Sequence, residues 1–370
     1  MAVSPHLPDR SRLLVAMSGG VDSSVAAGLL AEQGHELVGV FMRNGVEGKG
    51  GERSCCSLSD ARDARGVARR LGVRFYVHDL ARSFSELIDA FARDYSKGLT
   101  PNPCVVCNND LKFGELDDLA RDLGCDGVVT GHYARIENGR LLRGVDRSKD
   151  QSYLLHGLSA EQRARARFPL GEMPKSEVRE HARRLGLPVA DKKDSTDICF
   201  VPGGDYRAVL RERLGNEGSP GELVDETGAV RAQHAGVGGF TVGQRRGLGV
   251  ALGAPRFVTE VQAESGRVQV GPREALRRSS CRVRGIQWHE DLGAASDSEP
   301  VLVQLRHHHR PEPVRVIRLG AERVELEFEQ PSEDVSPGQY AVLYRGDLVL
   351  GGGRIEAPES VPSGESAAAG

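Results

Sequence analysis

The chain reads as an α/β protein: a doubly wound parallel sheet, then a small β-rich central domain and a C-terminal β-barrel. Three observations predict this. The apolar run Leu13-Leu-Val-Ala-Met17 leads into Ser18-Gly-Gly-Val-Asp-Ser23, and a helical pattern over Val25 to Gln33 closes at Gly34. Further strand-like and helix-like segments alternate up to Thr130. Beyond about residue 205, short segments punctuated by Pro and Gly replace them. A short, wholly apolar run fits a strand buried on both faces, and alternation with helices fits parallel βαβ units.

The elements follow in order. Leu37 to Met42 reads as the second strand, Ser59 to Leu71 as an amphipathic helix, and Val73 to Val77 as the third strand. Phe84 to Tyr95 and Leu111 to Leu123 read as helices, and Gly127 to Thr130 as the fourth strand. Pro220-Gly221, Asp225 to Gly228 and Gly236 to Gly239 are turn signals of a small β module. Six short strands, 282–286, 301–306, 314–319, 323–328, 340–344 and 348–355, then suggest a barrel. The expected domains are 1–208, 209–281 and 282–357, with a disordered Ser/Ala/Gly/Pro tail at 358–370.

Composition narrows the function. The 370 residues exceed one typical core, and 39% hydrophobic content fits a globular chain. A net charge of −3 gives no global sign of a polyanionic partner, so any such contact needs a local basic patch. Arg163, Arg165, Arg167, Lys175, Arg179, Arg183 and Arg184 are the candidates. No apolar stretch nears the roughly 20 residues of a membrane helix, and no signal-like segment precedes Leu13, so a cytoplasmic location without membrane contact is expected. Seven cysteines, an odd number, point to thiol or metal chemistry rather than a disulfide framework.

The turn after the first strand is a helix N-terminus. Its glycines allow close backbone approach, and Ser18, Ser23 and the first-turn N–H groups can cradle phosphate oxygens. It lacks the Lys of a Walker loop, which argues against transfer of a terminal phosphoryl group. Thr100-Pro-Asn-Pro-Cys-Val-Val-Cys-Asn108 is the second informative segment. Asn102 suits an N-cap and Pro103 the first helical position, placing Cys104 and Cys107 a turn apart on one face, where a helix N-terminus favours thiolate. Cys199 follows Lys192 and Lys193, cations that would favour its thiolate too.

Ser18-Gly-Gly-Val-Asp-Ser23 resembles the pyrophosphate loop of the N-type ATP pyrophosphatases, which split ATP between its first two phosphates and adenylate a carbonyl oxygen. The whole chain from about residue 12 to 356 resembles the tRNA-specific 2-thiouridylase (MnmA/TrmU) family. The motifs carrying this are Ala16 to Ser24, Cys55-Cys56-Ser57, Thr100 to Asn108, Thr130-Gly-His-Tyr-Ala134 and Lys149-Asp-Gln-Ser-Tyr153. Phe168-Pro-Leu-Gly171, Lys192 to Phe200, Thr241 to Gly249, Ser336-Pro-Gly-Gln339 and Gly351 to Ile355 continue the series in family order.

The resemblance implies ATP-dependent 2-thiolation of the tRNA wobble uridine. Ala16, Met17, Ser18, Gly19, Gly20, Val21, Asp22, Ser23, Met42 and Gly131 would bind ATP, with Asp22 helping to hold Mg²⁺. Cys199 would carry a persulfide and Cys107 act as nucleophile, the two forming a disulfide that must be reduced each turnover. Asn102, Pro103 and Cys104 would meet the target base. His132, Lys149, Asp150, Gln151, Arg306, His307 and Gln339 would contact tRNA. The partners implied are the wobble-uridine tRNAs for Lys, Glu and Gln, and a sulfur donor such as a cysteine desulfurase or sulfur relay.

This chain has Cys104 where many members have Asp, so that position reads as a thiolate base, a resolving thiol or a base-positioning residue. Cys104, Cys107 and Cys199 could alternatively ligate an iron–sulfur cluster. A structural zinc would need a further ligand such as Cys55 or Cys56. His307-His308-His309, read as strand neighbours facing alternate sides, would be polar surface beside phosphate rather than a metal tract. Two other classes stay open: ligation of a small molecule by the same loop, and a non-enzymatic redox or metal-sensing RNA-binding module built on Cys104 and Cys107.

Overall fold

The computed structural model describes residues 10–46, 58–193, 198–250, 253–292 and 299–358. Cys55, Cys56, most of the expected C-terminal tail and part of the motif before Cys199 lie outside these residues.

The first half of the chain alternates as expected. Strand β1 (Arg12–Ala16) enters α1 (Val21–Glu32), and β2 (Glu36–Arg43), α2 (Leu58–Arg70), β3 (Arg74–Asp79) and α3 (Ala81–Ser96) follow. Next come α4 (Pro103–Val106), a π-helix over Cys107–Glu115, α5 (Leu116–Asp122) and β4 (Gly127–Val129). A hairpin of β5 (Ala134–Glu137) and β6 (Arg140–Arg143) precedes α6 (Ala160–Arg165), β7 (Ala166–Arg167) and α7 (Lys175–Arg184).

The sheet order is β3-β2-β1-β4-β7, with every pairing parallel. Chain direction across the sheet reverses between β1 and β4, the crevice where such sheets bind ligands. Alternation along β1 explains its apolar run. Leu13 and Val15 face a core with α1, α2 and α7, while Leu14 faces a second core on the opposite side, and all three are fully buried.

Helix α8 (Tyr206–Leu214) opens the second half. Strands β8 (Gly221–Val224), β9 (Val230–His234), β10 (Phe257–Gln262) and β11 (Arg267–Gly271) form a sheet of order β10-β11-β8-β9. The last six strands are β12 (Arg278–Trp288), β13 (Leu302–Gln304), β14 (Glu312–Arg318), β15 (Arg323–Ser332), β16 (Tyr340–Arg345) and β17 (Leu348–Ile355). They close into a barrel because β12 pairs with both β15 and β17.

Two features depart from the sequence reading. The helix expected over Leu111 to Leu123 begins earlier, and its first part is π-helical. Gln162 of α6 explains how that wider winding is tolerated, since its Nε2 donates to the carbonyls of Asn109 (3.1 Å) and Phe113 (2.8 Å). The hairpin β5–β6 was not anticipated; it joins the barrel through Leu142 against Leu348. Leu141 of the hairpin, Leu14 of the parallel sheet, and Tyr344 and Val349 of the barrel lie in one buried cluster.

That shared cluster makes sheet and barrel one cooperative unit. Leu141→Ala, at a fully buried site, should cost about 2–5 kcal/mol and lower a single denaturant transition seen by probes in both halves. Separate transitions, with only one displaced, would contradict the shared core.

Burial also fixes the histidines. It pushes His156 and His307 down to about 4 and His289 down to about 3, and holds His132 well below its ordinary value. An unfolded histidine takes up its proton near pH ~6.5, whereas these native rings refuse it until far lower pH. Each therefore removes up to about 1.4 kcal/mol of stability per pH unit as pH falls below ~6.5, and nothing above about 7. Denaturant titrations at about pH 7.5 and about pH 5 should show the loss at the lower value, and equal stability would refute neutral burial.

Candidate functional site

The Ser18–Ser23 turn sits at the carboxyl end of β1, and Thr130-Gly131-His132 at that of β4. The two ends touch. A Cβ at Gly131 would lie 2.6 Å from the Ser23 nitrogen and 2.7 Å from the Asp22 carbonyl carbon, so glycine is required by contact alone. Gly19 has a positive φ of 73°, and a Cβ there would lie 2.3 Å from the Asp60 carbonyl oxygen. The turn is thus wedged between β4 and the start of α2.

Within the turn, the Ser18 N–H donates to Ser23 Oγ (3.1 Å), and Ser24 Oγ donates to the Gly20 carbonyl (2.7 Å). The N-cap of α1 is Gly20, which supplies no side-chain cap, so the first-turn N–H groups point to the crevice without a capping oxygen. The Asp22 carboxylate accepts from Tyr133 Oη (2.8 Å) and is ion-paired with Lys175 Nζ (2.7 Å). A single carboxylate beside a phosphate cradle suits Mg²⁺ held mainly by phosphate oxygens and water, but here the ion would share Asp22 with Lys175.

A cavity of about 330 Å³ opens from the turn. Ala16, Met17, Ser18, Asp22, Ser23, Met42 and Gly131 line one part of it. Pro103, Cys104, Cys107 and Cys199 line another, with His132 and Gln151 between. Residues far apart in sequence therefore share one chamber. Gly19, Gly20 and Val21 shape the turn without lining the cavity.

Asn102 does occupy the N-cap position and Pro103 the first turn, yet the Asn102 side chain makes no cap bond. Its Nδ2 instead reaches Gln339 Oε1 (3.5 Å), which also accepts from Tyr153 Oη (3.4 Å). The barrel loop before β16 thus leans on the segment leading into Cys104. The Thr100 N–H donates to the Pro337 carbonyl (2.7 Å), and a Cβ at Gly338 would strike the Thr100 nitrogen at 2.7 Å.

His132 is buried, with Nδ1 2.7 Å from Thr130 Oγ1 and its ring edge-on to Phe168. Burial first, then the charge of Lys112, holds it neutral. Gln151 Oε1 accepts from the Tyr133 N–H (3.1 Å). The Asp150 carboxylate is turned inward, accepting from the N–H groups of Gly144 (3.0 Å) and Ser152 (3.1 Å). Lys149, Asp150 and Arg306 do not line the cavity. Arg306 is exposed and paired with Asp334, which also meets His309 Nε2 at 2.5 Å.

Several sequence readings need correction. The three histidines occupy a turn rather than a strand, with His308 at a positive φ of 64°, and His307 is half-buried near Tyr153. The expected basic patch is largely taken up by partners within the chain, although only Arg163 is buried and Arg183 and Arg184 stay exposed. Arg163 is buried on backbone carbonyls, Arg165 pairs with Asp117, Lys175 with Asp22, and Arg184 with Glu32. Lys192 is engaged with Asp60 (2.7 Å), Asp63 (2.6 Å) and the Gly19 carbonyl (2.9 Å), not with Cys199.

No disulfide joins Cys107 to Cys199. Among the described residues no three His, Cys, Asp or Glu side chains stand close enough to hold a single metal ion. Asn44, Asn108, Lys112 and Thr130 also line the cavity and escaped the sequence reading. Only Asn108 and Thr130, inside quoted motifs, carried any signal.

Family models match three consecutive stretches: a tRNA methyl transferase HUP domain over 11–203, a tRNA methyl transferase PRC-barrel domain over 207–272, and an aminomethyltransferase beta-barrel domain over 278–355. The tRNA-specific 2-thiouridylase MnmA of Geobacter metallireducens is 46% identical over 360 residues, covering 94% of this chain and 97% of that protein. That of Mycolicibacterium vanbaalenii is 49% identical, covering 94% and 99%. Among solved structures, a U34-tRNA thiolase NcsA from Methanococcus maripaludis with its [4Fe-4S] cluster is 19% identical, covering 55% of this chain and 66% of that one. The TM-score between the two is 0.35. With near-complete coverage on both sides, three domain models in series and the cysteines gathered at the ATP-type loop, this chain belongs to the tRNA-specific 2-thiouridylase MnmA family.

Proposed function

We propose that this protein is a tRNA-uridine 2-sulfurtransferase that uses ATP to thiolate C2 of the wobble uridine. One observation carries the reading: a single cavity is lined by the Ser18–Ser23 turn and by Cys104, Cys107 and Cys199. A nucleotide-activating loop and thiols are the two halves that replacement of a carbonyl oxygen by sulfur requires.

The uridine O2 attacks the α-phosphorus of ATP, pyrophosphate leaves along the N-terminus of α1, and N3 gives up its proton. Mg²⁺ supplies charge neutralisation on the phosphates when bound, with Asp22 its protein contact. Lys175 pairs with the same carboxylate and offsets its charge beside the phosphate cradle. The terminal sulfur of a Cys199 persulfide then attacks C2, and AMP departs with O2. Attack of the Cys107 thiolate on the Cys199 sulfur breaks the bond to the product sulfur, leaving 2-thiouridine and a Cys107–Cys199 disulfide. Alternatively Cys107 first releases hydrogen sulfide, which attacks C2. Both routes end in a disulfide that takes two electrons from an external reductant.

Pro103 and Cys104 line the cavity and Asn102 precedes them at the helix N-cap, and these three are proposed to meet the flipped base. His132, fixed and neutral, offers a hydrogen bond rather than a charge. Gln151, Lys149, Arg306, His307 and Gln339 are proposed to extend the tRNA contact onto the barrel, with the inward-turned Asp150 holding the Gly144 and Ser152 backbone behind them. The RNAs proposed are the wobble-uridine tRNAs for Lys, Glu and Gln. The sulfur is proposed to come from a cysteine desulfurase or a sulfur relay.

Nucleoside analysis of tRNA from cells relying on Cys199→Ser should find 2-thiouridine at background while the purified variant binds tRNA like the parent. Normal 2-thiouridine in those cells would refute the assignment. A further assay uses aerobically purified, iron-free protein with ATP, Mg²⁺, tRNA, a reductant, and a cysteine desulfurase with cysteine as the persulfide source. Thiolation is expected there, and a strict requirement for iron would replace the persulfide route with a cluster.

A further inference from the structure

The charged side chains that line the cavity are Asp22 and Lys112. Asp22 is already engaged, accepting from Tyr133 Oη at 2.8 Å and paired with Lys175 Nζ at 2.7 Å. Lys112 differs from Lys175 and Lys192, since among the described residues no carboxylate pairs with it. Its place follows from the winding of the π-helix over Cys107–Glu115. A residue five further along an α-helix lies about 140° round the axis, whereas the i→i+5 winding of a π-helix returns it close to the same face. Lys112 therefore joins Cys107 at the cavity wall, and its charge acts on the buried His132 ring just beyond β4.

A cation without a counter-charge, at a chamber walled by Met42, Phe84, Leu87 and Phe200, suits an anion supplied from outside. ATP brings its charges in a fixed order. The β- and γ-phosphates belong at the Ser18–Ser23 turn, where the first N–H groups of α1 and Lys175 stand. The α-phosphate belongs nearer the thiols, because the oxygen bonded to it is the one that sulfur replaces. We propose that Lys112 is a catalytic residue whose ammonium binds a non-bridging oxygen of the α-phosphate during adenylation and during release of AMP. This rests on the reading of the cavity as the site of ATP-dependent uridine activation. When O2 bonds to the α-phosphorus, the bond to pyrophosphate breaks, its electron pair leaves with pyrophosphate, and the N3 proton goes to water. The ammonium meets the negative charge on the equatorial oxygens of that transition state in an apolar setting, where such contacts are strong. When sulfur bonds to C2, the C2–O2 bond breaks and its electron pair goes to AMP, whose phosphate the same ammonium holds. Lys112 stays protonated in both steps.

The test follows tRNA-dependent pyrophosphate release by the full-length protein, from ATP and from each of the two ATP diastereomers that carry sulfur on the α-phosphate. Lys112→Met should lower the single-turnover rate by about 10²–10³-fold, the usual loss for one transition-state donor, while KM for ATP moves little; Lys112→Arg should restore part of the rate. In the parent, one diastereomer should react more slowly than ATP because its sulfur stands where Lys112 binds. In Lys112→Met that penalty should shrink while the other diastereomer's stays as it was, a change that a merely structural residue would not cause. A Lys112→Met rate equal to the parent's, or diastereomer ratios unchanged from the parent's, overturns the proposal. Should Lys112→Met fail to fold by circular dichroism, acetylation of Lys112 in the parent by N-hydroxysuccinimidyl acetate is followed by peptide mass spectrometry. Protection by saturating AMP, which carries only the α-phosphate, is expected there, and equal labelling with and without AMP overturns the contact. A parent that releases no pyrophosphate with tRNA would instead overturn the reading of the cavity itself.

Discussion

The buried cluster shared by the parallel sheet, the β5–β6 hairpin and the barrel is the constraint on which the site depends. Leu14 and Val128 from the sheet, Leu116 and Ala120 from α5, and Val342, Tyr344 and Val349 from the barrel occupy one apolar volume. Shielding those side chains from water costs nothing extra only if the barrel stays docked, so its position is set by the same hydrophobic term that folds the sheet. Arg143 reinforces the seam, its guanidinium lying 3.8 Å over the Tyr344 ring. Arg354 does so at the rim, 2.5 Å from Asp94 of α3.

That docking determines what the Cys104 segment can do. The Thr100 N–H is satisfied by the Pro337 carbonyl of the barrel, and Asn102 is drawn to Gln339 instead of capping its own helix. A cap forgone costs a helix about 1 kcal/mol, which the following π-helix and its Gln162 contacts must offset. An RNA that engages Gln339 would compete for the group now held by Asn102. The barrel is in this sense part of the proposed base-entry site and not an appended module.

Legibility in the sequence followed the range of the interactions. The Ser18–Ser23 turn, the strands β1, β2 and β4 and the six barrel strands rest on local periodicity and turn chemistry, and these were read directly. Gathering of Cys104, Cys107 and Cys199 was reached only through family resemblance, because nothing local to Cys199 encodes a neighbour that lies far back in the chain. Lys175 and Lys192 show where local reading misleads. Lys175 reads as part of a basic patch for RNA and Lys192 as a cation near Cys199, yet each finds carboxylates on an element more than a hundred residues away, at Asp22 and at Asp60 and Asp63. The π-helix was invisible for a similar reason, as its stabilising partner Gln162 belongs to a later helix. Asn44 carries no motif at all and is recognised only because β2 ends at the crevice.

The placement of the thiols has a chemical consequence. Cys107 and Cys199 pack against one apolar cluster built from α3, which includes Phe84, Leu87 and Phe91. An apolar wall disfavours thiolate through desolvation, whereas the helix N-terminus at Cys104 favours it. Under the proposed function, the sulfur that Cys199 would carry stands against this wall at the cavity that the nucleotide turn also lines. Entry of an anionic nucleotide and a base into the cavity brings both the phosphates and the cations that neutralise them to within the same chamber. The Gly131 contact makes the arrangement unforgiving, since the β4 end and the turn meet with no room for a single added carbon.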